Sequence, residues 1–141
     1  MYKFLEDVSI AEIAFEVREK SLENLFRDAA LALTNVQVRN LENIEKKEKR
    51  EIIVEEENIE NLLFSFLQEL VILKDSDRIL FNEYQIRIEK NDKFKLVAVA
   101  FGEEINHEKH DLIADVKGIS LHKFEVKKEN NEWVARVVVD I

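Results

Sequence analysis

The chain has 141 residues, 46% of them hydrophobic, and sets 21 basic against 30 acidic side chains for a formal net charge of −9. That length suits a single domain over residues 1–141, and the apolar share supplies a real core, which excludes disorder. The acidic balance repels phosphate backbones and anionic headgroups, so direct binding to nucleic acid or a membrane is not expected. The absence of cysteine removes disulfides, thiolate zinc sites and cysteine nucleophiles.

Met1-Tyr2-Lys3-Phe4 leads into charged residues without a signal-like apolar run, and no window reaches the roughly 18 to 20 apolar residues of a membrane span. A cytoplasmic, reducing location is the expectation. No proline, two glycines and 36% charged residues resemble thermophile usage.

From Ile10 to Val17, Ile10, Glu12, Ala14 and Glu16 alternate with Ala11, Ile13, Phe15 and Val17, the period of a half-buried strand. Ser21 offers an N-cap to a helix with Leu22, Leu25, Phe26, Ala29 and Leu33 on one face. Residues 40–50 read as a solvated, Lys/Glu-rich connector, and Ile52, Ile53 and Val54 as a short strand. Asn58 caps a second helix with a stripe of Ile59, Leu62, Leu63, Phe66, Leu67 and Leu70, flanked by Val71 and Leu73. Apolar over more than half its circumference, this helix is expected to be central and covered on two sides.

Two strands follow, over residues 79–89 and 94–101, joined as a hairpin through residues 90–93, with Gly102 breaking the second. A polar loop holds His107 and His110. The last two strands, over residues 116–127 and 133–139, pair across residues 128–131. Strands gathered after the helices predict an α+β domain, two helices packed on a largely antiparallel sheet.

The chemistry the residues themselves suggest is sparse. His107 and His110 lack the helical His-Glu-x-x-His frame of zinc hydrolases, and His122 reads as a partly packed strand residue. No serine stands in a nucleophile elbow, and no glycine-rich phosphate loop is present. The chain closes on Val137-Val138-Val139-Asp140-Ile141, where Asp140 and the α-carboxylate could offer hard oxygen donors of the kind Ca²⁺, Mn²⁺ and Mg²⁺ take. The plainer reading of Asp140 is a solvated strand end. Asp7 and Glu12 could complete such a site if the two terminal strands are neighbours; alone they read as surface acids. Lys117, ahead of Gly118-Ile119-Ser120, is either a solvent-facing strand lysine or a functional group.

Taken in order, several segments resemble the archease family along nearly the whole chain. They are Phe4-Leu5-Glu6-Asp7-Val8-Ser9-Ile10-Ala11-Glu12, Ser21-Leu22-Glu23-Asn24-Leu25-Phe26 and Leu62-Leu63-Phe64-Ser65-Phe66-Leu67-Gln68-Glu69-Leu70. Then come Ala100-Phe101-Gly102-Glu103, His110, Asp115-Val116-Lys117-Gly118-Ile119-Ser120-Leu121-His122 and Val139-Asp140-Ile141. The resemblance implies an archease-like fold and a non-enzymatic cofactor of the tRNA-splicing RNA ligase. Such a cofactor promotes guanylylation and multiple turnover of a ligase that uses GTP and manganese. It also implies a divalent metal held by Glu12, Asp140 and Ile141, with Lys117 as the functional lysine. Ca²⁺ or Mn²⁺ suits that set better than Mg²⁺, because Glu12 stands where the family usually has aspartate and its extra methylene shifts the carboxylate. Ser9-Ile10-Ala11-Glu12 replaces the usual His-Thr-Ala-Asp, and the segment before Ser9 is one residue longer, so Asp7 rivals Glu12 as ligand. Gly118, Ser120 and Leu121 replace the usual Ala, Thr and Tyr. Two alternatives stand beside this reading: a metal-dependent hydrolase of a small phosphorylated substrate, and a metal-free interaction or chaperone module.

Overall fold

Alternating apolar residues need a partner strand on each side, and the chain supplies them from its two ends. The computed structural model describes residues 1–9 and 11–141, with the backbone alone for residues 6–9. Strands β1 (Tyr2–Ser9) and β2 (Glu12–Glu19) lead into helix α1 (Leu22–Gln37), a 3-10 turn at Leu41–Asn43 and strand β3 (Glu48–Glu56). Helix α2 (Ile59–Asp77) follows, then strands β4 (Ile79–Lys90), β5 (Phe94–Glu104), β6 (Gly118–Glu129) and β7 (Glu132–Asp140). The strands form two antiparallel sheets, one in the order β1-β2-β7-β6 and the other β3-β5-β4. Strand β1 went unread in the sequence, and β3 is longer than its three apolar residues suggest, because it pairs with β5 from Glu48↔Gly102 to Glu56↔Phe94.

The helices lie between the sheets. Helix α1 packs on β2 and β7 on one side and on β4 on the other, and α2 touches β6, β3 and β5. A helix between two sheets must be apolar on two faces, which is why α2 buries Leu62, Leu63, Phe66, Leu67, Leu70 and Val71 together. The expectation of a central α2 therefore holds, with Ile72 left on its exposed side. Phe66 stacks on Phe26 of α1 at 6.0 Å and meets Tyr84 of β4 edge-on at 6.2 Å, joining both helices to the second sheet. Both predicted caps form: Ser21 Oγ accepts the Asn24 N–H at 3.1 Å and Asn58 Oδ1 the Asn61 N–H at 2.8 Å.

Four local expectations are corrected. Gly102 does not end β5 but lies within it; a Cβ there would fall 1.8 Å from the Leu80 carbonyl oxygen. Glycine is what lets β4 approach so closely, next to a bulge between Phe81 and Glu83. Residues 40–50 are not simply solvated, since Ile44 is buried with Val38 and Leu80 in a small second core. His122 is exposed, because the β6–β7 register shifts between Ser120 and Glu125 and Lys123 takes φ 61° in that irregular stretch. Lys117 precedes β6, which begins at Gly118. Among the described residues no helix is long and apolar enough to cross a membrane.

Candidate functional site at the meeting of the terminal strands

The hydrophobic demand of Ile13, Phe15 and Val17 on one side and Val137 and Val139 on the other zips β2 against β7 in a continuous antiparallel register. That register makes Glu12 and Asp140 direct cross-strand partners. Side chains of directly opposed residues emerge on the same face of a sheet, within about 4.5 to 5.5 Å at Cβ. On its other flank Asp140 pairs with Gly118. A Cβ at Gly118 would meet nothing nearer than Gln68 Oε1 at 3.8 Å, so the space beside Asp140 stays open.

Main-chain bonds fix the surrounding ends. The Ile141 N–H donates to the Ala11 carbonyl at 2.9 Å, and the Lys117 N–H donates to the Asp140 carbonyl at 2.8 Å. Glu12, Asp140, Ile141 and Lys117, scattered across the sequence, are thus gathered at one end of the first sheet. Glu12, Asp140 and Ile141 are half-buried and Lys117 is exposed. Asp7, the rival ligand, lies outside the residues whose side chains are described. Among the described residues no three His, Asp or Glu side chains converge as a metal cage. Two neighbouring carboxylates form a partial hard-oxygen set, to which a main-chain carboxylate or a partner's donors could add.

Three features escaped the sequence, two beside the site and one on the second sheet. Lys74 of α2 is buried to 6% exposure and binds the segment just before Lys117. Its signal was a lysine continuing the Leu62, Phe66, Leu70 spacing of four. Beside it opens a cleft of about 380 Å³ lined by Lys74, Asp75, Arg78, His107 and Asp115 among others. Glu103 and His110 form a buried pair at 2.8 Å. The Asn106 N–H donates to His110 Nδ1 at 3.0 Å, so Nε2 carries the proton given to Glu103. Burial presses the Glu103 pKa upward, but Lys109, the Glu45 N–H and His110 outweigh it and hold it at about 2.

An α+β protein with two helices between two antiparallel sheets, carrying acidic residues where β2 meets β7, defines a small structural class. The Archease protein family model matches residues 2–141, and the chain belongs to that family. It is 40% identical to the protein archease of Pyrococcus abyssi and 41% identical to that of Thermococcus kodakarensis, each over 93% of both chains. The solution structure of protein 1598 from Methanobacterium thermoautotrophicum superposes with a TM-score of 0.87 at 32% identity, covering 99% of this chain and 98% of that one. A Thermotoga maritima structure described as an archease and possible chaperone shares the fold, with a TM-score of 0.64 at 18% identity and 97% of each chain covered.

Proposed function

We propose that this protein is an archease-type activator of the tRNA-splicing RNA ligase, promoting its guanylylation and multiple turnover in the cytoplasm. The carrying observation is the juxtaposition of Glu12, Asp140 and Lys117 within a chain that is archease along its length. The description of the Thermotoga maritima relative as a possible chaperone also favours action on a protein partner.

In this reading Glu12, Asp140 and the carboxylate of Ile141 hold one divalent ion, Ca²⁺ or Mn²⁺, whose chemistry would be charge compensation at phosphate oxygens. The cross-strand pairing of Glu12 with Asp140 fixes the two backbones that carry these carboxylates, which would lower the ordering cost of binding an ion. Lys117, exposed and bonded through its N–H to the Asp140 carbonyl, supplies an ammonium suited to a phosphate or to a carboxylate of the ligase. The net charge of −9 suits docking on a basic surface of the ligase without competition for its RNA.

The test is multiple-turnover ligation of a cyclic-phosphate end to a hydroxyl end with GTP and Mn²⁺, beside calorimetric titration with Ca²⁺ and Mn²⁺. Wild type should accelerate turnover, and Asp140→Ala should weaken ion affinity by about tenfold or more with a parallel loss of stimulation. No acceleration by wild type, or full stimulation by Asp140→Ala, sinks the proposal.

A further inference from the structure

Lys117 lies at the end of the long segment between β5 and β6, outside any strand. Two side chains of α2 fasten the residues on either side of it. Gln68 Oε1 accepts the Ile119 N–H at 2.9 Å. Lys74 Nζ donates to Asp115 Oδ1 at 2.6 Å and to the Val116 carbonyl at 2.8 Å, and its third contact is Asp75 Oδ1 at 2.6 Å. From the opposite side, β7 receives the Lys117 N–H on the Asp140 carbonyl. Asp115, Val116, Lys117 and Ile119 are therefore each held by α2 or by β7.

Lys74 is an odd choice for packing alone. It extends the buried Leu62, Phe66, Leu70 row, where another leucine would avoid desolvating an ammonium. Burial pulls its pKa down, yet the hydrogen bonds to Asp115 and Asp75 leave it raised, so it stays charged at neutral pH. A charge with three oxygen acceptors has a fixed geometry that an apolar contact lacks. Its acceptors include the backbone of the residue next to Lys117.

We infer that Lys74, seconded by Gln68, is the positioning residue that sets Lys117 beside Asp140. This rests on the ligase-activator reading for its use, though not for its geometry.

The experiment reads amide hydrogen exchange of the isolated full chain and ligase stimulation side by side. In Lys74→Met the Lys117 amide should exchange at least about tenfold faster while Ala98 and Ala100 of β5 keep their protection. Lys74→Arg should recover most of that protection. In the ligation assay Lys74→Met should lose stimulation, and Lys74→Met combined with Lys117→Ala should be no worse than Lys117→Ala alone. Unchanged Lys117 exchange, an equal rise at every amide, or additive losses in the double variant overturns the inference. Should Lys74→Met fail to fold, Asp115→Ala is judged by the same exchange criterion, because Asp115 is largely exposed and its truncation removes a single contact of Lys74. If Lys117→Ala leaves stimulation intact, the activator role of Lys117 fails, while the exchange data still decide what Lys74 does.

Discussion

Single residues settle how closely the strands approach and which charges are fixed. The two glycines make opposite demands. At Gly102 an added methyl collides with main-chain atoms of Leu80 and Phe81 that cannot rotate away. Gly102→Ala should therefore cost about 3 kcal/mol in urea unfolding. At Gly118 the same methyl finds ordinary contact distance, so Gly118→Ala should stay within about 0.5 kcal/mol of wild type. Equal effects at both positions would refute the close approach of β4 to β5. Glu103 makes a pH-dependent contribution. Its folded pKa of about 2 lies below the ordinary glutamate value of 4.5, so its stabilisation is fully present above pH 4.5 and disappears as pH falls towards 2. Glu103→Gln should lose about 2 kcal/mol at neutral pH, and the gap from wild type should close in acid. A gap that persists unchanged at pH 2 would show that ionisation plays no part.

Among the elements, the β6–β7 hairpin carries Asp140 and borders Lys117, so its register matters to the site. Its turn places Asn130 and Asn131 at φ 52° and 67°, the left-handed region that suits a two-residue hairpin turn and that asparagine tolerates. Asn130→Val should destabilise by about 1 to 2 kcal/mol, and Asn131→Gly should be neutral or slightly stabilising. Denaturant midpoints for the two variants check this; a tolerated valine would mean the turn is not left-handed. Helix α2 was the plainest element in the sequence because its two apolar faces and its asparagine cap repeat one message. Strand β1 was obscure because Lys3 and Glu6 interrupt its apolar residues, and its pairing with β2 is what makes it a strand. The extent of β3 was obscure for the same reason: its ends are charged and only β5 defines them.

For the whole molecule, an overall charge of −9 predicts how it meets a basic partner. If the proposed ligase is that partner, raising ionic strength from about 0.05 to 0.5 M should slow their association by about tenfold while changing dissociation less. Stopped-flow binding measures both, and a salt-independent association rate would argue against an electrostatically steered docking face. The α+β class, the two helices with their caps and the hairpins were legible in the sequence, because periodicity and local hydrogen-bonding chemistry are carried by neighbouring residues. The family was legible separately, through the resemblance of the ordered segments. The fold alone sets Glu12 opposite Asp140, bonds Lys117 to the same residue, and brings Lys74 and Gln68 to it from α2. Such adjacency comes from strand register and helix placement between sheets, and no stretch of sequence contains both partners.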